Sequence, residues 1–97
     1  MDLAATVAEE IGNLRAMNVT DIRSLPEASH REIESSWARR RSVSVYIERD
    51  DDGVRVIVKA FESRFPHIST RAIADGFRLS KDGQLAELSE ADKSTLY

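Results

Sequence analysis

Between Ser42 and Phe61 the chain reads SVSVYIERDDDGVRVIVKAF, two alternating apolar runs separated by an acidic stretch that ends in glycine. Period-two alternation places Val43, Val45 and Ile47 on one face of a strand and Ser44, Tyr46 and Glu48 on the other. In the second run it places Val54, Val56, Val58 and Ala60 against Arg55, Ile57, Lys59 and Phe61. The stretch predicts an antiparallel hairpin. A one-residue slip would set every valine opposite a polar side chain, so only registers that keep the faces matched survive. A four-residue loop Asp50-Asp51-Asp52-Gly53 sets Val43, Val45 and Ile47 opposite Ala60, Val58 and Val56, Tyr46 opposite Ile57, and Glu48 opposite Arg55. A tight Asp52-Gly53 turn would leave Glu48 facing Ile57, and the first register is preferred because it pairs opposite charges.

Upstream, Ala4, Val7, Ile11 and Leu14, widened by Leu3 and Met17, recur at spacings of three and four and predict an amphipathic helix over about residues 2–17. Its apolar stripe covers the sheet or, because the same positions fit a short heptad, forms the seam of a homodimer. After a break at Asn18 to Thr20, Asp21-Ile22-Arg23 suggests one helical turn. Ser24-Leu25-Pro26-Glu27 then has the form of a capping box with proline in the first turn, which predicts a second helix to about Arg39 with Ile33 and Trp37 buried.

Downstream, Glu62 to His67 reads as a connection, because Pro66 cannot lie within a central strand. Residues 68–75 read as a short helix capped by Ser69, or as strand from about Arg71 with a bulge at Gly76; strand is preferred. A two-residue Asp82-Gly83 turn would pair Phe77 with Leu88, Arg78 with Glu87 and Leu79 with Ala86. Ser89-Glu90-Ala91-Asp92 resembles a helix start. The expected fold is α+β, a single domain over 1–97: helical over 1–41, a three- to four-stranded antiparallel meander over 42–88, and a short C-terminal helix over 89–97.

A chain of 97 residues can bury a core without staples, since domains of this size remove somewhat over ~60% of their unfolded surface from water. The lack of cysteine excludes thiolate chemistry and disulfides. With Asp2, Glu9 and Glu10 where a leader would be basic, and no apolar run near the ~20 residues of a span, the expectation is a cytoplasmic protein without membrane contact. The net charge of −3 is unevenly spread: residues 1–30 carry five acids against two bases, 31–81 eight against eleven, and 82–97 four against one.

No arrangement of residues points to catalysis. His30 and Glu34, four apart on the expected second helix, with Glu27 a turn earlier, are half a metal site at most, and His67 is the only other imidazole. The serines lie in no nucleophile elbow, the four glycines form no phosphate loop, and Asp50-Asp51-Asp52 lacks the alternating oxygens of a calcium loop. No cofactor and no metal is expected. The expected function is that of a small non-enzymatic protein-binding domain, acting as a regulator, an inhibitor or an accessory subunit of a larger assembly. Its contact patch would be Tyr46, Ile57, Lys59 and Phe61 on the outer hairpin face. The alternative is nucleic-acid binding through Arg39, Arg40 and Arg41 with Arg55 and Lys59 beside the aromatics.

Overall fold

The computed structural model describes residues 3–64 and 69–88. Helix α1 (Leu3–Arg15) and the short helix α2 (Val19–Arg23) precede five strands: β1 (Ala28–Ser35), β2 (Arg39–Asp50), β3 (Gly53–Arg64), β4 (Ser69–Ser80) and β5 (Leu85–Glu87). The strands form one antiparallel meander in the order β1-β2-β3-β4-β5.

The central hairpin has the expected register. Val43 pairs with Ala60, Val45 with Val58, Ile47 with Val56, Tyr46 with Ile57 and Glu48 with Arg55, but Asp50 also pairs with Gly53, so the connection is Asp51-Asp52 and not the expected four residues. The Glu48–Arg55 contact is present, Arg55 Nε donating to Glu48 Oε2 at 2.9 Å. The valine face lies under α1, whose Leu3, Val7 and Leu14 are buried with Val43, Val54, Val56, Val58, Ala60, Phe77 and Leu79, while Ile11 and Met17 pack at the margin. Branched side chains alternating along β2 and β3 thus meet the helical stripe, burying apolar surface from both layers.

Several expectations fail. The second helix to Arg39 does not form, and among the described residues no helix follows Arg23. Ser24 closes α2 instead of opening a new helix: its backbone N–H donates to the Thr20 and Asp21 carbonyls and its hydroxyl to Thr20 O at 2.9 Å. The residues that follow pair with β2, Ala28 opposite Tyr46 through Ser35 opposite Arg40, with a bulge between Glu32 and Glu34. A capping box is a local signal of about 1 kcal/mol, and seven cross-strand pairs along β1 outweigh it. Asn18, read as a break, is the N-cap of α2, its Oδ1 accepting from Asp21 N at 2.8 Å.

The sheet has five strands, more than the expected three or four, because β1 joins it and residues 69–80 are strand throughout. Gly76 makes no bulge. It pairs in register with Ile57, and a Cβ there would sit 2.1 Å from Val56 O, so the close approach of two backbones requires glycine.

The last hairpin is shifted by one residue. Phe77 pairs with Glu87, Arg78 with Ala86 and Leu79 with Leu85. The connection runs from Ser80 to Gln84, closed by Ser80 N to Gln84 O at 2.9 Å and Gly83 N to Ser80 O at 3.0 Å, with Gly83 at φ 89°. A turn one residue longer than the tight Asp-Gly form sends Leu88 to the opposite face of the sheet. The proposed helix over 89–97 lies outside the described residues.

Candidate binding surfaces

The outer face of the hairpin carries the four residues expected to bind a protein, and the structure divides them. Ile57 is buried under Leu88, with Tyr46 and Ala74 packed half-buried beside them. The Leu88 that the slipped register moves across the sheet is what covers it. Phe61 is half-buried. Tyr46 and Lys59 stand together, the Lys59 ammonium 5.6 Å from the ring centroid, and line a shallow depression of about 400 Å³ with Glu27, Ala28 and Glu48. Tyr46, Ile57 and Phe61 therefore do not form one open apolar patch: Ile57 belongs to a small second core, and Tyr46 and Lys59 border a depression of mixed lining beside it.

The cations expected to touch phosphates are also divided. Arg55 is held by Glu48 across the hairpin. Arg41 donates from Nε to the buried Glu62 carboxylate at 2.7 Å. Arg39 and Arg40 lie beyond the helix-covered sheet, at the end where β1 turns into β2. There Trp37, expected in the core at helical spacing from Ile33, is 83% exposed. It occupies the short connection that Ser36 closes, Ser36 N donating to Arg39 O at 2.9 Å and Ser36 Oγ accepting from Arg39 N at 3.1 Å. Ile33, at the bulge, is exposed as well.

Register brings further arginines to this end. Arg39 lies opposite Arg64, Arg41 opposite Glu62, and Glu62 opposite Arg71. From Glu34 to Arg41 and from Phe61 to Arg71 the described strands thus gather five arginines against two glutamates, in a chain whose overall charge is −3. Trp37, Arg39, Arg40, Ser63 and Arg64 border a depression of about 270 Å³. Sequence reading missed Arg64 and Arg71 because they are far from Arg39 along the chain; only the pairing of β2, β3 and β4 sets them together.

Glu62 is the charged side chain buried here. At 2% exposure it accepts from Arg41 at 2.7 Å and from Arg64 Nε at 2.9 Å. The Arg41 hydrogen bond, aided by Arg64, holds its carboxyl below the ordinary range against the opposing effect of burial. At the other end of the sheet, the Asp50 carboxylate accepts from Arg78 at 3.0 Å and from Asp52 N at 2.9 Å. Arg78 therefore pairs with Asp50, not with Glu87. His30 is on β1, its Nδ1 2.8 Å from Ser44 Oγ, and a strand does not place it one helical turn from Glu34. His67 lies outside the described residues. Among the described residues no three histidine, aspartate or glutamate side chains gather as a metal site.

The chain matches no protein-family model, no curated protein and no solved structure. The reading of the arginine-rich end therefore rests on its own chemistry.

Proposed function

We propose that the chain is a small non-enzymatic protein-binding domain, a regulator or accessory subunit that docks on a larger assembly through the end bearing Trp37. The observation that carries this reading is a tryptophan 83% exposed on a short turn, beside Arg39, Arg40 and Arg64. Tryptophan and arginine are the residue types that most often dominate binding energy at protein interfaces, and truncating such an anchor costs a complex ~2 kcal/mol or more. A large apolar ring held in water adds little burial to the fold, so core packing does not account for its placement.

Cross-linking in the native host, followed by capture on the purified protein, tests the reading. Wild type is expected to recover a stoichiometric protein that Trp37→Ser, with unchanged melting temperature, does not. Recovery of the same protein by both would remove Trp37 from the contact.

The excess of arginine at the same end favours a second reading, in which a single strand of nucleic acid stacks on Trp37 and its phosphates meet Arg39, Arg40 and Arg64. Such binding weakens with salt, each phosphate contact adding about −0.7 to the slope of log affinity against log salt for single strands. A titration with oligonucleotide at low and physiological salt, followed by the fluorescence of the single tryptophan, separates the two readings.

A further inference from the structure

We infer that Arg64 and Arg71, backed by Arg41 and Glu62, form a pocket for the phosphate group of a small molecule. The site is on the inner face of the sheet, where α1 begins. Arg41, Glu62 and Arg71 are directly cross-strand partners on β2, β3 and β4, and period two puts them on the face of Val43, Ala60 and Ile73. Together with Arg64 they line a depression of about 240 Å³ whose apolar wall is Leu3, Ala4 and Ile73.

Structural need explains only part of this group. Glu62, 2% exposed, requires compensation for its buried charge, and Arg41 and Arg64 provide it at 2.7 and 2.9 Å. Arg71 is not needed for that compensation. It stands opposite Glu62 in register, exposed, and makes no ion pair among the described residues. Arg64 and Arg71 thus set two guanidinium groups against one concavity, an excess of cation over the Glu62 carboxylate that Arg64 shares with Arg41. A phosphate monoester, close to a dianion above its second pKa of about 6, matches that excess.

Geometry favours the same ligand. Arg64 reaches Glu62 through Nε, a bond that uses one of its donors and keeps the guanidinium plane fixed while most of its N–H groups remain for a ligand. Guanidinium forks bind phosphate oxygens bidentately, and a tetrahedral group can receive one fork from Arg64 and another from Arg71. The apolar wall is suited to the carbon portion of the ester. Arg64 borders both this depression and the one beside Trp37, whereas Trp37, Arg39 and Arg40 do not line this one, so the two proposals share Arg64 and are told apart by Arg71 and Trp37.

The test is a titration of the full chain with inorganic phosphate and with glycerol phosphate, chloride replacing each at constant ionic strength, read by calorimetry and by amide chemical shifts. Saturable one-site binding is expected, with shifts centred on residues 62–64 and 71–73. Arg71→Ser should weaken it at least tenfold, equivalent to about 1.4 kcal/mol, and Arg64→Ser should weaken it as well. Trp37→Ser and Arg40→Ser should bind as wild type does. Arg71 is exposed, so its replacement leaves the fold intact and the comparison interpretable. Equal responses to phosphate and chloride, or wild-type affinity in Arg71→Ser, would overturn the inference. So would retention of an oligonucleotide lacking terminal phosphate with no response to either small phosphate, which would assign these arginines to a polymer backbone.

Discussion

Strand β3 passes through two environments along one face. From Val54 through Val56 and Val58 to Ala60 its inward residues are buried against α1 and β4, with Val56, Val58 and Ala60 fully inaccessible. One step further the inward residue is Glu62, equally buried but held by two arginines. The change coincides with the start of the described helix at Leu3, which lines both the apolar core and the depression around Glu62. Where a helix covers the sheet, branched aliphatic residues supply cohesion without direction. Where the cover ends, the strands continue as an arm that uses ion pairs for order and leaves cationic and aromatic groups in water. The same β-pairing supports stability at one end and display at the other.

The contrast predicts unequal costs of substitution. Phe77, 1% exposed among the core residues, should cost about 3–5 kcal/mol when cut to alanine, measured as a drop in the urea midpoint at constant slope. Ile57→Ala tests the corrected outer face. With 5% exposure under Leu88 it should lose roughly 2–3 kcal/mol, whereas an open patch would lose almost nothing.

Glu62→Gln should destabilise by less than the roughly 3–5 kcal/mol of breaking a fully buried pair, because Arg64 is half exposed and can be hydrated. Its pH dependence has a definite sign. The folded carboxyl titrates below its unfolded value, so the ionised form stabilises the fold: the contribution is complete above the ordinary carboxylate range of about pH 4 and is lost as pH falls through the depressed folded value. Between about pH 6 and about pH 3 the wild-type urea midpoint should therefore fall more than that of Glu62→Gln, and parallel curves would contradict the ion pair. The smallest effect is expected at the tip, where Trp37→Ser should shift stability by no more than about 0.5 kcal/mol. A larger loss would mean that the arm is part of the core and not a display element.

Period two between Val43 and Ala60 was sufficient to place the central hairpin, its register, its Glu48–Arg55 pair and the face that α1 covers, since any slip would have buried charge. The helix over about 2–17 was equally legible, because its stripe of Val7, Ile11 and Leu14 has a single period. The broad α+β class followed from these two elements. Residues 24–39 were misread because Ser24 satisfies a helix-ending role as well as a helix-starting one, and only pairing with β2 selects between them. The slip at Ser80–Gln84 arose from a turn that was one residue longer than its Asp-Gly dipeptide implied, and it decided that Ile57 is covered. The arginine-rich end was visible only as Arg39-Arg40-Arg41; the meeting of Arg64 and Arg71 with Glu62 depends on the register of three strands. Local patterns record which face a residue takes, but which distant charges share that face is decided when the strands pair.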